Sequence, residues 1–107
     1  MILVVGGIAS GKRTFAESLG FSEKDMAFDV HELVREAESC DEVIDMAAGK
    51  SVVTCAEVGG GIVPLGAGER AYRERVGRMS SVLAERADSV VRMVCGIPVV
   101  LKGDPWS

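Results

Sequence analysis

Apolar positions along the chain follow two rhythms. Met1–Val5 is a continuous apolar run, too short for a core helix and rich in strand formers, which predicts a strand buried on both faces. Ser51–Ala56 predicts another strand. Val90–Cys95 and Val99–Lys102, joined by Gly96-Ile97-Pro98, predict a closing hairpin. A shorter run, Met26-Ala27-Phe28, ends on Asp29. Between these runs the period changes to that of a helix. Thr14–Leu19 continues from a glycine loop into a helix, and Gly20 with the polar Ser22–Asp25 turns the chain. From Val30 to Ala48 the residues Leu33, Ala37, Cys40, Ile44 and Ala47 fall at helical spacing, with a break near Ser39 where Ser39 and Glu42 stand in capping-box relation. Gly68–Ala87 predicts a long helix whose core stripe is Tyr72, Val76, Met79 and Leu83. Strands alternating with helices predict a small α/β domain of P-loop type, with a mostly parallel sheet, helices on both faces and a C-terminal β-hairpin.

The strongest chemical signal lies between the first strand and the first helix. Gly6 and Gly7 open a loop, and Gly11 and Lys12 close it, fitting G-x-x-x-x-G-K. Glycines let backbone N–H groups turn toward phosphate oxygens, the helix start adds a partial positive charge, and Lys12 adds a full one. Gly6, Gly7, Ser10, Gly11, Lys12, Arg13 and Thr14 are therefore the candidate phosphate contacts. The alternative is a plain strand-to-helix connection. One position breaks the pattern. Arg13 stands where a Ser or Thr hydroxyl would hold Mg²⁺, and Thr14 comes one residue later, turned by about 100° around the helix. That puts the magnesium in question.

Asp29, an acid at a strand end beside such a loop, is the candidate catalytic and metal-holding carboxylate, alongside Lys12. It is equally a good N-cap for the helix that follows. His31, the sole histidine, reads as structural. Glu57-Val58-Gly59-Gly60-Gly61 follows a strand, and three successive glycines suggest close approach of backbone to a ligand, the alternative being a connector. Arg70, Arg73, Gly77, Ser80 and Ser81 share one face of the long helix, either an anion-facing surface or a solvated one paired with Glu69 and Glu74.

Composition narrows the rest. With 107 residues the chain predicts one domain spanning 1–107, and 48% apolar content supports a core. A net charge of −4 argues against nucleic acid as a partner. Cys40, Cys55 and Cys95 form no C-x-x-C pair and read as buried, reduced thiols of a cytoplasmic protein. No apolar run approaches membrane-spanning length, and no targeting segment precedes the first strand.

The stretch from Thr54 to Lys102 carries a resemblance. E-V-G-G-G-I-V-P (57–64), R-A-Y-R-E-R-V-G-R (70–78), Ala84–Asp88 and V-C-G-I-P (94–98) resemble, in order, segments of the bifunctional adenosylcobinamide kinase/adenosylcobinamide-phosphate guanylyltransferases of cobalamin biosynthesis. Their opening G-G-x-x-S-G-K-S is similar to Gly6–Lys12. The resemblance implies a purine nucleotide, ATP or GTP, with its γ-phosphoryl passing to a cobinamide hydroxyl. It also implies that Glu57, Gly59, Gly61 and Arg73 lie toward the substrate, and that a homo-oligomer forms. Departures accompany it. Family members are longer and carry, after the first helix, a strand and a histidine that accepts GMP. Here only residues 20–25 separate that helix from Met26, so His31 is a poor counterpart of that histidine and the guanylyltransferase step is expected to be absent. The loop serine is Arg13, an Asn-Gln pair is Ser80-Ser81, and an Asn is Ala56. A non-catalytic homologue that binds nucleotide or assists assembly is the second reading.

Overall fold

The structure is a computed structural model that describes residues 1–7, 10–37, 39–57 and 67–106. Five strands form one sheet in the order β2-β3-β1-β4-β5, with β1 (Ile2–Gly6) at its centre. β1 runs parallel to both β3 (Val52–Ala56) and β4 (Ser89–Val94), so that Gly6 lies level with Ala56 on one side and Met93 on the other. The short β2 (Met26–Ala27) extends the parallel sheet, and β5 (Ile97–Lys102) closes it antiparallel to β4. The sheet is mostly parallel with a terminal hairpin, as the apolar runs predict.

Helices cover both faces. On one side α1 (Lys12–Ser18) brings Ala16, Phe15 and Leu19 against Val4, Val52, Val91 and Met93. On the other, α2 (Val30–Glu36), α3 (Cys40–Ala48) and α4 (Ala67–Arg86) pack Val30, Val34, Ile44, Ala47, Val76, Met79 and Leu83 onto Leu3, Val53 and Val90. Alternation along β1 explains the split: Leu3 and Val4 point to opposite faces, and both are fully buried. No helix among the described residues is long and apolar enough to cross a membrane.

The long-helix stripe is observed: Val76, Met79 and Leu83 are fully buried, with Tyr72 packed at the margin. The stripe drawn from Leu33 to Ala47 is not. Leu33 is 44% exposed, and Val30 and Val34 take the buried face of α2. The chain leaves helical geometry at Ala37 and re-enters at Ser39, whose hydroxyl accepts from the Asp41 N–H at 3.1 Å. That break resets the helical phase, so residues on its two sides cannot share one stripe. The capping bond also lands one residue before Glu42, the partner expected of a capping box.

The closing hairpin turns on two residues, Cys95 and Gly96, both with positive φ (50° and 79°), which is the geometry that suits the twist of adjacent strands. Cys95 is therefore exposed at a turn tip instead of buried, and Cys40 is half-buried; Cys55 alone of the three is fully buried. Pro98 falls inside β5, which an edge strand tolerates because one side of its ladder needs no donor.

Leu83 sits where α4 meets the sheet. Replacing it with Ala should cost about 2–5 kcal/mol of unfolding free energy, whereas Leu33→Ala should cost well under half as much. Urea denaturation of the two variants checks this, and comparable losses would mean that Leu33 is buried after all.

Candidate functional site

The site forms at the edge of the sheet where β1, β2, β3 and β4 end. β1 stops at Gly6, and this position must be glycine for a packing reason. A side-chain carbon there would lie 2.5 Å from the Ser10 Oγ and 2.9 Å from the Met93 carbonyl oxygen. Gly11 adopts φ 90° at the start of α1 and sits against Gly96, while the Gly96 N–H donates to the Ser10 carbonyl at 3.0 Å. The hairpin turn thus buttresses the glycine loop from behind.

Ser10, Gly11, Lys12, Arg13, Thr14 and Asp29 line a single cavity of about 280 Å³. Gly6 and Gly7 are not among the lining residues. The Lys12 ammonium turns back over the loop and donates to the Gly7 carbonyl at 2.7 Å, with the residue only 9% exposed. Ser10 is 8% exposed, and its hydroxyl is a buried polar group without a hydrogen-bond partner among the described residues. The hydroxyl lies against Gly6, 2.5 Å from where a side-chain carbon at that position would sit. α1 has only seven residues, so positive charge in this cavity comes chiefly from side chains and less from the helix dipole.

Asp29 reaches the cavity from the end of β2. It adopts left-handed geometry (φ 53°), its N–H donates to the buried Thr54 hydroxyl at 2.8 Å, and its side chain makes no capping hydrogen bond to α2. The N-cap explanation of this acid does not hold. Asp29 is one of the residues that line the cavity. The residues do not fit the magnesium site of a P-loop, however. At the position of the hydroxyl ligand the chain has Arg13, which carries no oxygen to offer a metal.

Arg13 leans away along α1. Its Nε pairs with Glu17 Oε1 at 3.0 Å, and the guanidinium lies 4.4 Å over the Phe28 ring. His31 is committed to structure. Its Nδ1 accepts the Ala56 N–H at 3.0 Å, which assigns the ring hydrogen to Nε2, and its carbonyl accepts from the Tyr72 hydroxyl at 2.9 Å.

Glu57 stands just beyond β3, its N–H on the Gly6 carbonyl at 2.8 Å. Its carboxylate is gripped at both oxygens by Arg92 of β4, at 2.6 and 3.1 Å. This clasp spans β1 and was missed from the sequence, although an arginine inside the apolar S-V-V-R-M-V is a visible irregularity. Beneath it, between α4 and the sheet, a mostly apolar cleft of about 290 Å³ is lined by Val5, Glu57, Gly77, Ser80, Ser81 and Leu101 among others. Arg73 is half-buried on α4, one turn before Gly77, and is not part of that lining. Gly59 and Gly61 lie outside the described residues.

Burial holds the His31 pKa below the ordinary imidazole value, against the opposing pull of Asp29 and Glu32 and with the help of Lys12 and Arg35. The folded ring is then less basic than the unfolded one. Its contribution to stability is full above the ordinary value, about 6.5, and is lost as pH falls through the lower folded value. His31→Asn keeps an acceptor for the Ala56 N–H but removes the titration. Its denaturation midpoint should therefore fall less than the wild type's between pH 7.5 and 5.5. Parallel profiles would show that folding does not lower the His31 pKa.

Comparison with known proteins bears on the same edge of the sheet. Residues 22–101 match the family model described as cobinamide kinase / cobinamide phosphate guanyltransferase, so the glycine loop itself lies outside the matched range. Over 77 residues the chain is 35% identical to the bifunctional adenosylcobalamin biosynthesis protein CobP of Pseudomonas aeruginosa. That alignment covers 72% of this chain but 44% of the relative, so the chain spans less than half of the relative's length. With most of its length matched, the chain belongs to the cobinamide kinase / cobinamide phosphate guanyltransferase family.

Proposed function

We propose that this chain binds ATP or GTP at the glycine loop and transfers the γ-phosphoryl group to a hydroxyl of a cobinamide. The observation that carries this reading is the single cavity that gathers Ser10, Gly11, Lys12, Arg13, Thr14 and Asp29, with the buried Lys12 supplying a cation. Backbone N–H groups of the loop and the Ser10 hydroxyl hold phosphate oxygens. Lys12 exchanges its Gly7 carbonyl for the terminal phosphates, where charge grows in the transition state. The acceptor oxygen bonds to the γ-phosphorus as the bond to the β–γ bridging oxygen breaks. The nucleoside diphosphate leaves, and the hydroxyl proton passes to the Asp29 carboxylate. The substrate lies toward Glu57 and the α4 face. The pairing of Glu57 with Arg92 keeps this rim from presenting an uncompensated negative charge. A homo-oligomer would find an apolar surface on β5, where Ile97, Val99, Val100 and Leu101 are exposed.

A second reading has its own support. Arg13 in the hydroxyl position favours a homologue that binds nucleotide without transferring phosphate. Incubation with γ-labelled ATP or GTP, with and without cobinamide, separates the two: label in the corrinoid is the expected result, and binding without transfer selects the second. Lys12→Ala should weaken nucleotide binding by roughly ten- to hundred-fold, since a charge-assisted hydrogen bond contributes about 1.5–3 kcal/mol and each tenfold is about 1.4 kcal/mol. An unchanged affinity would make the loop a structural connection.

The guanylyltransferase step is expected to be absent. Attack on an α-phosphorus needs a ring nitrogen with an available lone pair. In neutral His31, Nδ1 directs its lone pair at the Ala56 N–H, and Nε2 carries the hydrogen. Incubation with α-labelled GTP should leave the protein unlabelled. Stoichiometric acid-labile label that disappears in His31→Ala would reverse this conclusion.

A further inference from the structure

We propose that Arg13 takes the place of the divalent cation, swinging from its seat on Phe28 and Glu17 to bridge the terminal phosphates of a nucleotide bound without metal. The inference rests on the nucleotide-binding reading and names how that site handles charge. Three observations carry it.

The first is position. Arg13 follows Lys12 directly, where a P-loop would offer the metal its hydroxyl, so its side chain leaves the backbone at the point from which the metal is normally held. A fixed positive charge there repels Mg²⁺. It also offers planar N–H donors that can engage two phosphate oxygens at once, as a bridging metal would, which a lysine's point charge cannot do.

The second is placement between two cavities. Arg13 lines the phosphate cavity together with Ser10, Lys12 and Asp29. It also lines a neighbouring cavity of about 350 Å³ with Glu17, Phe21, Glu23, Met26 and Phe28. The guanidinium rests on the second side, and a change of rotamer brings it to the first. The first side also holds Lys12, only 9% exposed, and this buried cation marks that cavity as the one built to take an anion.

The third is the weakness of the hold. The Arg13 side chain is 64% exposed and that of Glu17 54%, and an exposed pair one helical turn apart binds little. Stacking on a half-exposed ring adds a modest amount. A charge-assisted, two-pronged contact with phosphate is stronger than either, so a polyphosphate in the cavity wins the guanidinium. Asp29 then faces two cations, Lys12 and Arg13, and is free of the need to share a metal.

Calorimetric titration of ATP and GTP, in EDTA and in excess Mg²⁺, tests this on the wild type, Arg13→Ser and Glu17→Gln, with thermal melting to establish that each protein is folded. The wild type should bind equally well in both buffers, to within about twofold. Arg13→Ser should lose about tenfold in EDTA, the worth of one charge-assisted contact, and regain it in Mg²⁺. Glu17→Gln should bind as tightly as the wild type in EDTA, or more tightly, because a competitor for the guanidinium is gone. Wild-type binding only in Mg²⁺, or an Arg13→Ser protein unimpaired in EDTA, would overturn the proposal and leave nucleotide binding standing. Weaker binding by Glu17→Gln would show that Arg13 acts from its seat, and would overturn the swing. No binding by the wild type in either buffer would remove the nucleotide reading and this inference with it.

Discussion

Every feature of the site depends on β1 being held in register between β3 and β4. Parallel pairing on both sides brings Gly6, Ala56 and Met93 to one level, and so places three strand ends at one edge of the sheet. The glycine loop then leaves β1 against the β4–β5 turn, through the Gly96–Ser10 hydrogen bond, and Glu57 leaves β3 on the Gly6 carbonyl. A slip of one residue would turn Leu3 and Val4 to the wrong faces and expose both halves of the core at once. The apolar runs therefore fix more than the fold. They set the level at which the polar groups emerge.

Across that edge, charge is distributed unevenly. On the side of β2 the cavity holds Lys12 and Arg13 against Asp29, a surplus of one positive charge facing the loop. On the side of β4, Glu57 and Arg92 cancel each other above an apolar cleft. An anion would be drawn to the first region, and an uncharged, partly apolar molecule would suit the second. His31, between them, serves as a strut: its ring holds the end of β3 and its carbonyl holds Tyr72 of α4.

Much of this was legible in the residues. Continuous apolar runs against helical periods announce an α/β sheet, because burial on two faces and burial on one leave different spacings. G-x-x-x-x-G-K announces its loop, because few residues other than glycine satisfy the close approach at Gly6 and the positive φ at Gly11. An acid after a strand announces Asp29. The failures share one cause, which is that each depends on a neighbour remote in sequence or on a local break in geometry. The α2–α3 stripe failed at a phase reset near Ala37, and Cys95 was misplaced because the turn took the two residues Cys95 and Gly96.

The sequence by itself determined the layers of the fold, the loop and its lysine, and the anomaly at Arg13, since these follow from spacing within a few residues. Tertiary structure alone decided the partners. It paired Glu57 with Arg92 across an intervening strand, gave the His31 ring to a backbone N–H 25 positions away, and released Asp29 from its helix cap by turning it into left-handed geometry on Thr54. It also seated Arg13 on Phe28, between two cavities that no local pattern describes. The reason is physical. Periodicity records which side of an element meets the core, but a hydrogen bond or ion pair between elements depends on register and on the rotation of each element about its axis, and both are settled only when the whole core packs.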